Sequence, residues 1–262
     1  MAHHTPCGRA KQTSSYLIMA TFVLVHGAVH GGWCWHKLVP LLEADGHRAI
    51  APDLPGMGTD RTPLSTVTMG MWAAFIAQRS RDAGEPVILV GHSRGGAVIS
   101  EAAELDPAAM LGLIYLTALL LPAGKRPFDA AVAEDARSAV ESRTATSAEI
   151  SLRVAPEAAR ALFYNRASPE EAAWASAQLC PEPIAPNIVP LTVSQERWGR
   201  LPRAYIECLD DRTLPIGLQR AMQAVLPCDP VVTMDSDHSP FLSAPRVLAA
   251  HLANIASVFS AR

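Results

Sequence analysis

The sequence predicts an α/β fold, with a mainly parallel six-stranded sheet flanked by helices and interrupted by one helical insertion. Three observations predict it. Short apolar runs, typical of buried strands, alternate with helical stretches over most of the chain. Residues 87–105 read as a strand, a sharp Gly-rich turn and a helix. Residues 122–200 instead carry many Pro and Ala and no apolar run of the buried-strand kind.

Each element of this fold can be placed along the chain. The predicted strands are Thr21–Val25, His47–Ala51, Val87–Val90, Leu111–Thr117, Arg203–Cys208 and Val231–Met234. The helices predicted around the sheet are 33–44, 69–83, 96–105, one ending near residue 225, and 245–259. The helices predicted within the insertion include Asp129–Val140, Pro156–Tyr164 and Pro169–Leu179. We therefore expect one α/β domain over residues 20–262, with a helical cap insertion at about 121–200.

Composition excludes several classes of protein. The chain has 262 residues, 49% of them hydrophobic and 18% charged, which allows a large core and argues against disorder. The net charge of −3 indicates neither a nucleic-acid surface nor binding to an anionic membrane. No apolar run has the length of a membrane span. The five cysteines include no C-x-x-C pair, so we expect free thiols and a cytoplasmic protein.

The amino-terminal segment differs from the rest of the chain. Residues 1–19 are mostly polar, and we expect a disordered extension with Met19 as an alternative start. The apolar run from Tyr16 to Met19 is too short for the core of a signal peptide.

The turn after the third predicted strand carries the pattern G-x-S-x-G, from Gly91 to Gly95. A strand, a sharp turn and a helix with Ser93 at the apex form a nucleophile elbow. The turn imposes strained backbone angles on the serine, and side chains at 91 and 95 would collide with neighbouring backbone. The alternative is a serine that only caps a helix. The flanking strand and helix favour the elbow.

The loop after the first predicted strand, from His26 to Trp35, is rich in Gly. It lacks both G-x-G-x-x-G and the Lys-Ser/Thr pair of a P-loop, so a phosphate site is not predicted. Two compatible interpretations remain. The loop is a Gly-rich turn before a helix, or an oxyanion loop whose small residues leave the N–H of Ala28 open towards Ser93. The elbow favours the second interpretation.

A serine nucleophile needs a base, and the base needs an acid that orients it. With this elbow, the order along the chain is Ser, acid, His. His238 lies in the loop after the last predicted strand, whereas His251 lies within the final helix. Asp210 and Asp211 both follow the fifth predicted strand, and only one of them can face His238. The residues by themselves leave that choice open.

Four segments carry a resemblance to a known family: Phe22–Ala28, His30–Trp35, Gly91–Gly96 and Asp235–Pro240. They resemble the α/β-hydrolases of the hydroxynitrile lyase and plant methylesterase branch, with its related bacterial esterases. The G-W-C-W stretch is more specific to this branch than the elbow. The resemblance extends over about residues 21–260. It implies an enzyme without cofactor or metal, with a compact sheet and a helical cap over the pocket.

The resemblance also implies roles for individual residues. Ser93, Asp211 and His238 match the catalytic triad, with Asp211 chosen because the family's acid lies four residues before a proline. The backbone N–H groups of Ala28 and Arg94 match the two oxyanion donors. The side chain of Arg94 departs from the apolar residue usual there, and it is expected either at the pocket mouth or on the surface.

Candidate substrate-binding residues are Gly27, His92 and Trp174. Three further aromatic residues, Phe128, Phe163 and Trp198, could line a pocket under the cap, although each such residue is more often core.

The resembling branch contains two chemistries. Its lyases place a Thr after the first strand and a Lys directly after the catalytic His, where this chain has Gly27 and Ser239. Both differences disfavour the lyase. We therefore expect a carboxylic ester hydrolase acting on a small hydrophobic ester. A C–C lyase or a cofactor-free dioxygenase using His238 and Asp211 as a base dyad is the alternative, and a non-catalytic receptor is the least favoured. Neither nucleic acid nor membrane is an expected partner, and a homodimer is left open.

Overall fold

The computed structural model describes residues 19–129 and 151–262. The strands of its main sheet are β1 Thr21–Val25, β2 Arg48–Ile50, β3 Val87–Ser93, β4 Met110–Ala118, β7 Arg203–Cys208 and β8 Val231–Met234. They are ordered β2–β1–β3–β4–β7–β8, and every neighbouring pair is parallel. The predicted six-stranded α/β sheet is therefore confirmed. The expected extension at residues 1–18 lies outside the described residues.

In the part of the chain that the structure describes, the helices are, in order, α1 Leu38–Ala44, α2 Met69–Asp82, α3 Gly95–Leu105, α4 Pro156–Phe163, α5 Pro169–Ala177, α6 Ala185–Ile188, α7 Ile216–Val225, α8 Pro240–Ser243 and α9 Pro245–Ser260. The helix predicted over 33–44 is divided into a 3-10 turn, Gly32–Trp35, and α1. Pro40 explains the division, because its ring would clash with the carbonyl four residues earlier in a continuous helix. Among the described residues, no helix is long and apolar enough to cross a membrane.

Both faces of the sheet are buried, which explains the continuous apolar runs of its strands. In β1, Phe22 and Leu24 pack into one core, whereas Val23 and Val25 pack into the other. This alternation follows from the two-residue period of a strand. Side chains of α1 and α9 complete the first core, and those of α2, α3 and α7 the second.

Residues 119–202 join β4 to β7 and are called the connecting segment below. The predicted helices at 156–164 and 169–179 are present as α4 and α5. The helix predicted over Asp129–Val140 lies outside the described residues, apart from Asp129. The segment also holds a short antiparallel pair that the sequence did not predict, β5 Ser151–Leu152 and β6 Glu182–Pro183. Two-residue strands are too short to show a hydrophobic period.

The strand order indicates where a ligand should bind, at the carboxyl ends of the strands. The chain passes from β1 to β2 on one side and then returns to β3 on the other side. The crevice outside the carboxyl ends of β1 and β3 is therefore a topological switch point, where open α/β sheets bind ligands. The loop after β1 and the turn after β3 both border this crevice.

Candidate active site

Ser93 is the last residue of β3, and α3 begins two residues later. Its φ of 52° lies in the left-handed region, which a non-glycine residue adopts only when its surroundings hold it there. A Cβ at Gly91 would lie 2.7 Å from the carbonyl oxygen of Gly95. A Cβ at Gly95 would lie 2.6 Å from the carbonyl oxygen of Val25. Both positions therefore require glycine, because neighbouring backbone lies too close for any side chain. The turn has the geometry of a nucleophile elbow.

The loops after β7 and β8 bring Asp211 and His238 together. His238 Nδ1 donates a hydrogen bond to Asp211 Oδ2 over 2.6 Å, and the hydroxyl of Thr117 donates to the same oxygen. The other oxygen, Oδ1, accepts from the backbone N–H groups of Thr213 at 2.7 Å and Leu214 at 2.8 Å. Four donors therefore fix the orientation of this carboxylate. Because Nδ1 of His238 carries the donated proton, its Nε2 is left as the basic nitrogen.

Asp210 has a different environment from its neighbour. Its side chain is exposed, and its Oδ2 accepts from Asn165 Nδ2 over 3.0 Å. Of the two adjacent acids, Asp211 is the one that contacts His238.

Thr117, near the end of β4, is a site residue that the sequence analysis did not select. β3 and β4 shift register here, because His92 pairs with Leu116 while Ser93 pairs with Ala118. Thr117 is thus left unpaired with a φ of 36°. Such bulges re-aim a side chain, and here the hydroxyl reaches Asp211. A threonine in an apolar strand gives no local signal of this role.

His92 joins the elbow to the loop after β8, which carries His238. Its Nε2 donates to the backbone carbonyl of His238 over 2.8 Å, and the centroids of the two rings are 4.7 Å apart. The ring is fully buried, and its Nδ1 faces Gly27, where an added Cβ would lie 2.8 Å away. His92, the residue before Ser93, is therefore bonded directly to the loop after β8.

The loop after β1 presents its backbone to the elbow. The carbonyl of Gly27 accepts from His26 Nδ1 at 2.9 Å and from Arg94 Nη2 at 3.0 Å. The carbonyl of Ala28 accepts from His30 Nδ1 at 2.7 Å. Within the described part of the chain, the N–H of Ala28 makes no hydrogen bond, and Ala28 is only partly buried. This N–H is therefore free to bind a ligand.

The side chain of Arg94 lies neither at a pocket mouth nor on the surface, the two positions expected from the sequence. It is 3% exposed, with its guanidinium carbon 4.1 Å from the centroid of the Trp72 ring. Its Nε lies 2.8 Å from Oε1 of Glu182, which is 1% exposed. A charge buried this deeply requires a partner, and the connecting segment supplies it through Glu182 in β6.

A family model described as the Alpha/beta hydrolase family matches residues 22–251. The chain belongs to the α/β hydrolase family. This family membership confirms the resemblance stated from the sequence motifs.

Relatives of this α/β hydrolase include enzymes named for ester substrates. The pyrethroid hydrolase of Sphingobium wenxiniae is 34% identical over 256 residues, which cover 92% of this chain and 89% of that protein. Methylesterase 7 of Arabidopsis thaliana is 30% identical, over 91% and 97% of the two chains. The crystal structure of a pyrethroid hydrolase from Sphingobium faniae JZ-2 matches with a TM-score of 0.80 and 34% identity, over 92% and 98%. Among longer Arabidopsis relatives named as chloroplastic methylesterases, the chain spans 64% of the first and 56% of two others.

Three buried histidines surround the α/β hydrolase site in their neutral forms. Burial, with Arg94 nearby, lowers the pKa of His26 to about 3, and burial lowers the pKa of His30 to about 4. Burial also lowers the pKa of His92 well below its ordinary value. The hydrogen bonds agree, because Nε2 of His26 lies 3.2 Å from a backbone N–H, that of Leu54. If the ring also carried a proton on Nε2, that N–H would point at the N–H of Leu54.

The predicted substrate-binding residues are not all brought together. Gly27 lies against Ser93, since a Cβ there would be 3.0 Å from Ser93 Cβ, and His92 is adjacent. Trp174 is 40% exposed, and its ring packs against Trp33 and His36 at the far end of the loop after β1. Substrate contact by these residues stays a prediction.

Of the other aromatic residues, Phe163 lies beside His238, with the two ring centroids 5.7 Å apart. Phe128 is 52% exposed, and Trp198 is buried with its indole N–H bonded to Tyr115. In residues 19–129 and 151–262, no cluster of three or more His, Cys, Asp or Glu side chains could hold a metal ion.

Proposed function

We propose that this α/β hydrolase is a carboxylesterase that cleaves small hydrophobic esters through an acyl-enzyme on Ser93. The observation that carries the proposal is the 2.6 Å hydrogen bond from His238 Nδ1 to Asp211 Oδ2, at the same sheet edge as the strained Ser93. Relatives named as a pyrethroid hydrolase and as methylesterases support this reaction class.

The chemistry follows from the assigned protons. Nε2 of His238 takes the proton of the Ser93 hydroxyl while Oγ attacks the ester carbonyl carbon. His238 then gives that proton to the leaving alkoxide as the ester C–O bond breaks. A water molecule attacks the acyl-enzyme with His238 again as base, which releases the acid and restores Ser93. Asp211 holds the imidazole in the required tautomer and stabilises its charged form.

The tetrahedral intermediates carry a negative oxygen that needs fixed donors. We assign these to the backbone N–H groups of Ala28 and Arg94, neither of which makes a hydrogen bond within the described residues. Arg94 precedes α3, so the positive end of that helix dipole lies at the same position. Removing one such donor in other enzymes lowers kcat by about 10²–10³-fold.

Support for a hydrophobic substrate comes from apolar residues next to His238 and Ser93. Phe163 of α4 lies beside His238, and the N–H of buried Leu119, where the connecting segment leaves β4, donates to the carbonyl of Ser93 over 2.9 Å. We propose that residues at about 121–200, within the connecting segment, form a cap over the pocket. We further propose that the substrate is an aryl or pyrethroid-like ester. The match to a pyrethroid hydrolase favours this class over charged esters.

The lyase and dioxygenase reactions are not favoured by the site. A lyase of this branch would carry a cation directly after the base, but that position is Ser239, which is fully buried. Gly27 lies against the elbow, where an added Cβ would be 2.8 Å from His92 Nδ1 and 3.0 Å from Ser93 Cβ, so the threonine that the lyases carry at this position would not fit without a shift. Both features disfavour the lyase.

The test is hydrolysis of p-nitrophenyl esters from acetate to long chain by wild type and Ser93→Ala. Wild type should turn over and Ser93→Ala should lose nearly all activity while remaining folded. A matched control is Ser257→Ala, which removes an exposed hydroxyl of α9 and should keep wild-type rates. The optimum chain length measures the size of the acyl pocket.

Labelling with a fluorophosphonate separates the remaining outcomes. Attachment at Ser93, located by mass spectrometry, supports the acyl-enzyme. Ester hydrolysis retained by Ser93→Ala, or a folded wild type that neither hydrolyses esters nor takes the label, would reject the proposal. Cyanide release from a cyanohydrin or oxygen uptake with a quinolone would then be assayed.

We also propose a cytoplasmic location. It is supported by Cys34, Cys180, Cys208 and Cys228, the described cysteines, which are all free thiols.

A further inference from the structure

The two peptide units on either side of Ala28 are held by side chains from three parts of the chain. In the first unit, the carbonyl of Gly27 accepts from His26 at 2.9 Å and from Arg94 at 3.0 Å. In the second, the carbonyl of Ala28 accepts from His30 at 2.7 Å. The N–H of that second unit, which belongs to Val29, donates to Glu182 Oε2 over 3.0 Å. The N–H of Ala28 is the one polar group of the two units without a partner among the described residues.

Because the peptide between Gly27 and Ala28 is planar, the contacts of its carbonyl fix the direction of its N–H. In a trans peptide, the C=O and N–H of one unit point in opposite directions. The carbonyl of Gly27 points to His26 and Arg94, so the N–H of Ala28 points away from them. Gly27 and Val29 are buried whereas Ala28 is partly exposed, so a ligand can approach the loop at Ala28. Arg94 therefore orients the Ala28 donor in addition to supplying its own backbone N–H.

Val29 is held in a conformation that it would not adopt alone. Its φ is 55°, which is a strong outlier for a β-branched residue. Such strain persists only where the surroundings over-determine it. Both constraints come from the connecting segment: Glu182 accepts the N–H of Val29, and the N–H of Cys180 donates to its carbonyl over 2.9 Å.

Glu182 and Arg94 form one buried unit. Glu182 Oε1 lies 2.8 Å from Arg94 Nε and also accepts from Asn187 Nδ2 at 3.1 Å. The two side chains are 1% and 3% exposed, so the attraction is little screened by solvent. Glu182 thus accepts from the strained loop at Oε2 and contacts the elbow residue at both oxygens, because Arg94 Nη2 also donates to Oε2 over 3.4 Å.

We propose that Arg94 and Glu182 are positioning residues for the oxyanion hole, and that the connecting segment sets the direction of the Ala28 N–H through Glu182. The inference rests on the proposed esterase function. Without Glu182, Val29 relaxes from its left-handed conformation and the Ala28 peptide loses its fixed direction. Because an oxyanion donor binds the transition state more strongly than the ester, kcat should fall while KM stays nearly constant.

The expected effect is set by the value of one donor. Complete loss of an oxyanion donor costs about 10²–10³ in kcat, and a donor that is only disordered should cost about 10–100-fold. We expect this loss for Glu182→Ala. Glu182→Gln keeps an oxygen for the N–H of Val29 and should recover part of the rate. The double variant Arg94→Met, Glu182→Gln removes both charges together, so it avoids an unpaired buried charge while still releasing the carbonyl of Gly27.

A matched control exists within the same segment. Glu171 of α5 pairs with Lys37, which also joins the connecting segment to the main body, but it does not contact the loop after β1. Glu171→Gln removes that ion pair and can keep the helix-capping contact with Ser168. It should retain wild-type kcat.

The experiment measures the melting temperature of each variant and its kcat and KM with p-nitrophenyl acetate. It also measures the affinity for an aryl trifluoromethyl ketone, because the adduct of this ketone with Ser93 carries an oxyanion. Parallel losses of kcat and of ketone affinity, with KM changed less than about threefold, support the proposal. Amide hydrogen exchange over residues 26–30 should accelerate in Glu182→Ala and not in Glu171→Gln.

Two results would overturn the inference while leaving the esterase intact. One is a folded Glu182→Ala with kcat within threefold of wild type. The other is an equal loss in Glu171→Gln. If Glu182→Ala does not fold, Glu182→Gln and the double variant decide together, and kcat within threefold of wild type in both would overturn the inference. If wild type itself shows no Ser93-dependent hydrolysis, the proposed function fails, and unchanged amide exchange in the variants would reject the positioning role separately.

Discussion

Lowering the pH from 7.5 to 5.0 should reduce the free energy of unfolding by about 4 kcal/mol through His26 and His30 alone. In the unfolded chain, both have an ordinary pKa of 6.5, whereas the folded values are about 3 and about 4. Between these values the unfolded chain binds protons that the native state excludes. The stabilisation is complete above pH 6.5 and is lost as the pH falls towards the folded pKa values.

The magnitude can be worked for each histidine. At pH 5.0, a group of pKa 6.5 is almost fully protonated when unfolded, while both groups are neutral when folded. The difference of about 1.5 pH units costs about 2 kcal/mol for each residue. His92, whose pKa is lowered in the same direction, adds to the loss. Carboxylates whose pKa lies below the ordinary range contribute only at lower pH, so the window from 7.5 to 5.0 isolates the histidines.

The assay is urea unfolding at half-unit pH steps. His30→Asn keeps a donor in the position of Nδ1 and removes the titrating ring, so the loss between pH 7.5 and 5.0 should shrink by about 2 kcal/mol. His251→Asn, at a half-buried position of α9, is the control and should change the pH dependence much less. Stability that is flat over this range in wild type, or an identical pH dependence in His30→Asn, would refute the reasoning.

Three further predictions concern the site and its turn. Asp211→Asn should lower kcat for a p-nitrophenyl ester about 10⁴-fold, because the amide no longer selects the reactive tautomer of the base; Asp210→Asn should stay near wild type, and equal losses would contradict the assignment. Thr117→Val should lower kcat about tenfold, because one charge-assisted hydrogen bond to the acid is lost; unchanged kinetics would remove its role. Gly91→Ala should cost about 2–3 kcal/mol in urea unfolding, because its Cβ meets fixed backbone at 2.7 Å, whereas Gly217→Ala in α7 has open space and should not destabilise.

The strand–turn–helix pattern around Ser93 was predictable because each of its requirements is local. Apolar runs define β1, β3 and β4, and glycines mark the close backbone approach at the elbow. His238 was also predictable, since it lies in the loop after β8, at the edge of the sheet where the elbow points. Chain order alone was enough to bring these parts to one end of the sheet.

The contacts that orient the site were not predictable from local pattern. Residue type and position after the strand do not distinguish Asp210 from Asp211, and only the family resemblance selected Asp211. The donors from Thr213 and Leu214 that hold Asp211 depend on the turn after β7. The pairing of Arg94 with Glu182 joins residues 88 positions apart. No hydrophobic period or spacing rule reports such a contact, and the short strand that carries Glu182 is too brief to be recognised.

The buried pair between Arg94 and Glu182 has a consequence for engineering this hydrolase. Exchanging the connecting segment for that of a relative is an obvious way to alter substrate range. A donor segment with an apolar residue at position 182 would leave the Arg94 guanidinium buried without its counter-charge, which typically costs about 3–5 kcal/mol. A functional chimera should therefore keep an acid at position 182 together with Arg94, or replace both residues together.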